Sequence, residues 1–237
     1  MPEPRPSRGD PTLRKSARAP ARRSRDGLVT PSHPGAVRVD LHLHSRYSHD
    51  SRTSLDALIK RAGDCGLDRI ALTDHNTVEG ALELARLAPE LAIVGEEAKT
   101  LEGEVIGLFI TRRLPPYQRP EHVMDLVHEM GGLTYVPHPF DRNRSHFRAE
   151  RIVELADRID IIEVHNPWCD HAANAAAAKL AAELGKVTST GSDAHSAHEL
   201  GRSWMEMEDY VDVADFLEKL RDARHVISAH SGTGRRA

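Results

Sequence analysis

The sequence predicts an α/β barrel, and three observations carry that reading. From Val37 onward, apolar runs of about four to six residues alternate with helical stretches, the pattern of βα units. Seven such runs in the roughly 190 residues that follow suit closure of the sheet. The loop after the first run reads Ser45-Arg46-Tyr47-Ser48-His49-Asp50. An open dinucleotide-binding sheet would carry a glycine-rich phosphate loop there.

The elements follow in order. Ala36–Leu43 reads as the first strand. Ser54 is a helix N-cap, and Leu55, Leu58, Ile59 and Ala62 keep helical spacing up to Gly66. Arg69–Leu72 is the second strand, followed by a helix over Val78–Leu87. Leu91–Val94 is the third strand and ends at Gly95; Val105–Ile110 is the fourth. A proline-rich loop, Leu114–Pro120, leads into a helix over Glu121–Met130 that stops at Gly131-Gly132. Leu133–Val136 is the fifth strand, Arg148–Asp157 a helix and Ile159–Val164 the sixth strand. An alanine-rich helix over His171–Leu184 precedes the seventh strand, Val187–Thr190. Trp204–Met207 reads as a further short strand and Val211–Arg221 as a closing helix.

Composition bounds the function. Hydrophobic residues make up 39% of the 237 residues and aromatics only 4%, so the core rests on Leu, Ile, Val and Ala. No apolar run is long enough to span a membrane, and nothing reads as a secretory leader. Two cysteines, Cys65 and Cys169, are too few for a disulfide framework, which points to a reducing, cytoplasmic setting. The net charge of −4 is uneven: residues 1–37 carry eight basic and three acidic side chains. Residues 1–36 therefore read as a disordered basic tail, 37–225 as the folded domain and 226–237 as a loose C-terminal tail. The basic tail reads first as a solvated extension, because no aromatics interleave with its arginines, and second as an arm for nucleic acid.

The chemistry lies where strands end. His42 and His44 share one face of the first strand, about 6–7 Å apart at Cα, close enough to converge on one ion. Asp50 follows them. Thr73-Asp74-His75 ends the second strand, Gly95-Glu96-Glu97 the third, Pro137-His138-Pro139 the fifth, Glu163-Val164-His165-Asn166 the sixth, and Gly191-Ser192-Asp193-Ala194-His195 the seventh. In a barrel these ends share one rim. Imidazole and carboxylate together suit Zn, Mn or Fe, and a carboxylate such as Glu97 can bridge neighbouring ions. Taken singly each motif also reads structurally: Asp74 as a helix cap, Glu97 as a surface charge, His138 as a rigid loop residue. No G-x-S-x-G motif and no activated cysteine offers a protein nucleophile.

Asp-Leu-His-Leu-His-Ser at 40–45, Leu-Thr-Asp-His-Asn at 72–76, Gly-x-Glu at 95–97, His138-Pro139, Ile-Glu-Val-x-Asn at 162–166 and Gly-Ser-Asp-Ala-His at 191–195 together resemble the motifs of the PHP (polymerase and histidinol phosphatase) family. The resemblance spans residues about 37–224. It implies a distorted (β/α)7 barrel with two or three divalent metal ions (Zn, Mn or Fe) at its C-terminal rim. It also implies phosphoester hydrolysis by a metal-activated water. His42, His44, Asp50, His75, Glu97, His138, Asp193 and His195 match its ligand positions, with Asp193 and His195 also handling protons. Glu104, Glu163 and His49 are further candidate ligands. The family often has Ser-Asp where this chain has Ser48-His49-Asp50, and often a histidine near the place of Glu104. Lys99, Arg142 and Arg144 are candidates to hold a phosphate. Trp168 and Tyr47 are candidate pocket walls, and Arg202 a candidate to orient Asp193 or His195.

The expected function is a metal-dependent phosphoesterase acting on a small phosphorylated substrate or nucleotide. The alternatives are a 5′-end exonuclease or nucleotide phosphatase acting on nucleic acid, with the tail assisting, and a non-catalytic metal-binding PHP module. No membrane partner is expected.

Overall fold

The computed structural model describes residues 35–228. The expected basic tail, but for its last two residues, lies outside the described residues, as does 229–237. The elements run β1 (Ala36–Leu43), α1 (Leu55–Cys65), β2 (Arg69–Leu72), α2 (Glu79–Leu87), β3 (Ala92–Lys99), β4 (Glu104–Leu108), α3 (Pro120–Glu129), β5 (Leu133–Val136), α4 (Ala149–Glu154), a 3-10 turn (Ala156–Arg158), β6 (Ile161–His165), α5 (His171–Glu183), β7 (Val187–Thr190), β8 (Ser203–Glu208), α6 (Val213–Arg221) and β9 (Arg224–Ile227). Local chemistry explains the boundaries. The Ser54 side chain accepts from Ala57 N at 3.2 Å and starts α1, while Gly66 takes φ 72° and ends it.

The sheet order is β7-β6-β5-β4-β3-β2-β1-β8-β9. Neighbours within β1–β3 and within β5–β7 are parallel, as the βα succession predicts. Strand β4 departs from the expected parallel sheet: it runs antiparallel to both β3 and β5. Only residues 100–103 join β3 to β4, too few for the crossover a parallel pair requires. The hairpin also lengthens β3 well past Val94, pairing Gly95 with Leu108 and Lys99 with Glu104. Glu96 and Glu97 thus sit on a strand rather than after one. At the other edge, β9 pairs with β8, so the folded unit continues to Ile227 and the expected loose tail from 226 begins too early.

Strand β1 closes the barrel by forking its second edge. Ala36–Val39 pair antiparallel with Met205–Glu208 of β8. Further along, His44 N donates to Ala194 O at 2.8 Å and Asp193 N to His42 O at 2.7 Å, joining β1 to the segment after β7. The register shifts between Asp40 and Leu43. Val37, Val39 and Leu41 pack in the inner cluster with Ile93, Tyr135 and Ile161, whereas Leu43 packs among the helices in the outer one. This irregularity re-aims the strand, and His42 and His44 face the interior beyond Leu41. Phe216 and Leu220 of α6 close the opposite end of that interior.

Candidate metal centre

Glu97 is the hub. Its Oε2 lies 3.3 Å from His42 Nε2, 3.4 Å from His44 Nε2 and 3.1 Å from His75 Nδ1, and its Oε1 lies 3.0 Å from His138 Nε2. Asp193 approaches from β7, with Oδ1 at 3.6 Å from His42 Nε2, 3.3 Å from His44 Nε2 and 3.4 Å from His195 Nδ1. Asp50 stands at the outer side, 3.0 Å from His195 Nε2 and 3.4 Å from His75 Nε2. Glu104 stands at the opposite flank, 3.9 Å from His138 Nε2. All eight expected ligand positions and Glu104 therefore meet in one place. Four groups have donor atoms mutually within 4.8 Å: His42/His44/Glu97, His42/His138/Asp193, His44/His75/His195 and His75/Glu97/Glu104.

Backbone and neighbours hold this geometry. His138 has φ 27° and Asp193 φ 47°, conformations that side-chain-bearing residues rarely adopt. Gly191 must lack a side chain, because a Cβ there would fall 2.4 Å from His42 Cβ. The Glu163 carboxylate lies behind His42 rather than in the cluster. Its Oε1 accepts from Tyr135 OH at 2.8 Å and meets His42 Nδ1 at 3.2 Å, while Oε2 accepts from His138 N at 2.6 Å and Asn166 Nδ2 at 3.0 Å. With both oxygens so engaged, Glu163 orients a histidine instead of adding a ligand. Ser48 Oγ meets His44 Nδ1 at 3.2 Å and accepts from His75 N at 2.8 Å. Asp74 does not cap α2; it accepts from Ser45 N at 2.6 Å and Ser45 Oγ at 2.7 Å, tying the loops after β1 and β2 together.

Burial and neighbouring charges oppose one another across the cluster. Burial opposes ionisation of Glu97 and Asp193, yet His75 and His42 beside Glu97, and Arg144 and His42 beside Asp193, hold both well below the usual carboxylate range. Burial opposes the charge on His42 too, but Asp193, Glu97 and Glu163 raise it well above the ordinary imidazole value. His75 is raised to about 9 against its burial, chiefly by Glu97 and Asp50. His44 is pushed down to about 3 by burial and by His195. Glu104 is pushed up to about 7 by burial and then by Glu97.

The remaining expectations divide. An open cleft of about 610 Å3 leads to the cluster, with Lys99, Arg144, His49 and Tyr117 among its lining residues. His49 is exposed; its ring lies 5.4 Å from that of His75, and it belongs to none of the four converging groups. Asp50, between the imidazoles of His75 and His195, is the better placed of the two. Arg144 forms an ion pair with Asp193 and, through Nε, with Asp141 at 3.1 Å. Arg142 does not reach the cleft: it lines a neighbouring groove of about 560 Å3 with His146 and Arg148. The cleft turns one side of the loop, at Asn143–Ser145, and the groove the other. Trp168 donates from Nε1 to Asp193 O at 3.1 Å, and the Arg202 guanidinium lies 4.8 Å over its ring, which links Arg202 to Asp193 through Trp168. Tyr47 lies against Gly80 and Arg46, outside the cleft. Sequence reasoning missed Tyr135, Ser48 and Glu199, whose carboxylate accepts from His195 N at 2.7 Å. The Glu199 position, four residues after His195, was the one readable signal.

The PHP domain profile matches residues 40–161, and the PHP-associated profile matches 171–225. The uncharacterized protein MJ0417 of Methanocaldococcus jannaschii is 34% identical over 180 residues, 73% of this chain and 71% of that protein. A two-domain protein of Bacteroides vulgatus that contains a predicted PHP-like metal-dependent phosphoesterase superposes with a TM-score of 0.67 at 16% identity, over 84% of this chain and 68% of that one. The lesion-specific endonuclease PfuEndoQ of Pyrococcus furiosus superposes with a TM-score of 0.62 at 17% identity, over 80% of this chain and 57% of that one. At these identities the superpositions speak to fold.

Proposed function

This chain belongs to the PHP family, and on that premise we propose that it is a metal-dependent phosphoesterase with a polynuclear site. The observation that carries the reading is the hub at Glu97, where one carboxylate touches four imidazoles between 3.0 and 3.4 Å. The donor set fits Zn, Mn or Fe, since it is all imidazole and carboxylate. In this reading His42, His44, Glu97 and Asp193 would hold one ion, Glu97, Glu104 and His138 a second, and Asp50, His75 and His195 a third. Such ions, when bound, acidify a water and neutralise charge on a phosphoryl group.

The chain's own residues do the rest. Glu163 fixes the His42 ring, and Ser48 fixes that of His44. Arg144, held by Asp141, keeps Asp193 in place and presents positive charge to the cleft, and Lys99 adds a second cation at its rim. His195 lies at the cleft with Nε2 3.0 Å from Asp50 Oδ2, where in this reading both would be committed to the third ion. Metal analysis of the purified protein, paired with a panel of phosphomonoesters, phosphodiesters and 5′-phosphorylated oligonucleotides, tests the proposal. Hydrolysis that survives chelation, or that survives Asp193→Ala, overturns it.

A second reading, cleavage at a nucleic-acid end, draws on one observation. The groove beside the cleft carries Arg142, His146 and Arg148, with no carboxylate within 4 Å of either arginine among the described residues. Glu150 and Asp170 share the groove, and Asp170 is engaged in capping α5. Under this reading Arg142→Ala with Arg148→Ala weakens oligonucleotide turnover and flattens its salt dependence by roughly one unit of slope per lost contact. An unchanged salt slope rules it out.

A further inference from the structure

Tyr117 stands out on the cleft wall. Its is the only phenol, phenyl or indole ring among the residues that line the cleft, and it is 59% exposed. Its backbone takes φ 57°, a conformation that is costly for a bulky L residue. A strained backbone that presents an apolar ring to solvent is unfavourable on both counts unless the ring is used.

The loop that carries this ring is anchored on both sides. Arg113 Nε donates to Asn76 O at 2.8 Å, and Leu114 N donates to Glu96 Oε2 at 2.9 Å. Tyr117 N donates to Lys99 O at 2.6 Å, and Leu101 N to Gln118 O at 3.0 Å. Pro115 and Pro116 stiffen the span between these anchors. This also gives Glu96 a purpose. The two adjacent glutamates of β3 point to opposite faces, Glu97 into the cluster and Glu96 out to the loop. One strand thereby sets both the proposed metal hub and the ring at the cleft mouth.

We infer that Tyr117 forms a subsite for a planar aromatic ring, so that the ester this cleft accepts is a nucleotide rather than a phosphorylated sugar or amino acid. The inference rests on the phosphoesterase reading for the position of the phosphate. A base stacked on a rigid aromatic side chain contributes without hydrogen-bond readout, and tyrosine loses little freedom in doing so. Lys99, the next cation along the same wall, is placed for the charge of the ester.

The test compares adenosine 5′-monophosphate with ribose 5-phosphate, which keeps the phosphate and sugar but lacks the base. Y117A should raise KM for the nucleotide about tenfold more than KM for the sugar phosphate, while Y117F and Y117W preserve the wild-type ratio. An unchanged ratio in Y117A overturns the inference. A binding readout separates the two proposals. Y117W, titrated with the non-hydrolysable 5′-phosphonate analogue of the nucleotide, should show saturable fluorescence quenching beyond that of Trp168 and Trp204 in the wild type. Quenching without any ester hydrolysis keeps the ring subsite and removes the phosphoesterase reading. Hydrolysis with no added quenching does the reverse.

Discussion

The inner and outer parts of the cluster are built differently. Inner residues His42, His44, Glu97 and Asp193 are all buried, and each imidazole has its second nitrogen held: His42 Nδ1 by Glu163 and His44 Nδ1 by Ser48, both at 3.2 Å. Asp193 is held at Oδ2 by Arg144 and by Asn166 Nδ2 at 3.1 Å. The outer residues sit on loops. The Asp50 side chain is 33% exposed, and among the described residues it contacts only the imidazoles of His75 and His195. Ser51 and Thr53 support this part through the His195 carbonyl, at 2.8 and 3.1 Å, rather than through Asp50. A ligand set with locked rotamers is preorganised for a bound ion, and a loop-borne one spends binding energy on ordering itself. The inner positions should therefore retain metal under conditions that empty the outer one.

Glu97→Ala breaks the comparison most completely, because that carboxylate is assigned to two ions and its Oε2 also lies 3.1 Å from His75 Nδ1 of the outer part. It should lose more than one ion per chain and lower kcat/KM by roughly 10^3-fold or more, the effect of several kcal/mol of lost charge stabilisation. Metal content by plasma emission, with circular dichroism to confirm the fold, reads the result. Near-wild-type metal content would show that the two parts do not share a hub.

Asp50→Ala isolates the outer part. The expected outcome is loss of about one ion per chain with the inner ions retained, and a fall in kcat/KM on the order of 10^2-fold. Stepwise dialysis against a weak chelator should remove the same ion first from the wild type. Loss of all metal together would erase the distinction between the parts.

Glu163→Gln sharpens the inner side without deleting a proposed ligand. Glutamine keeps the size but weakens the hold on His42 Nδ1, so affinity for the inner ion should fall about 10-fold, within the usual range for an orienting carboxylate, while the saturated metal content stays the same. A lower stoichiometry at saturating metal would mean that Glu163 is a ligand after all.

How much of this was readable in the sequence differs between the two levels of structure. The limits of β1, β2, β5 and β7 follow directly from apolar runs bounded by turn residues. The orientation of β4 does not, because an apolar run has no direction, and the four-residue join that marks the hairpin emerges only because β3 runs on to Lys99. At the site, the residue types at strand ends identify nearly the whole cluster. What they leave out is which side of a carboxylate faces where. Strict alternation along β1 would place His42 opposite Val39 and Leu41, and only the register shift brings them to one interior. Glu163 lies at a strand end among proposed ligands, yet its oxygens are taken by Tyr135 and Asn166, partners distant or unremarkable in sequence. Arg142 and Arg144 are two residues apart in a loop without a regular period, so nothing local says that one faces the cleft and the other the groove.

The smallest expected effect falls on the pair that the sequence left open, His49 and Asp50. Both follow Ser48, both are plausible donors, and one extra residue in the loop separates this chain from the commoner spacing. The geometry distinguishes them through reach. Asp50 Oδ2 lies between two imidazoles at 3.0 and 3.4 Å, while the His49 ring is tilted against that of His75 with centroids 5.4 Å apart. His49 belongs to none of the groups whose donor atoms converge, so His49→Ala should leave metal content unchanged and alter kcat/KM by no more than about twofold, as for an exposed substitution. Set beside Asp50→Ala, this pair of variants gives the cleanest measure of the outer part. If His49→Ala loses the outer ion and Asp50→Ala keeps it, the loop has the other register and the outer group is a three-histidine site. If both lose it, the loop acts as a unit, and its support from Ser51 and Thr53 matters more than the identity of either donor.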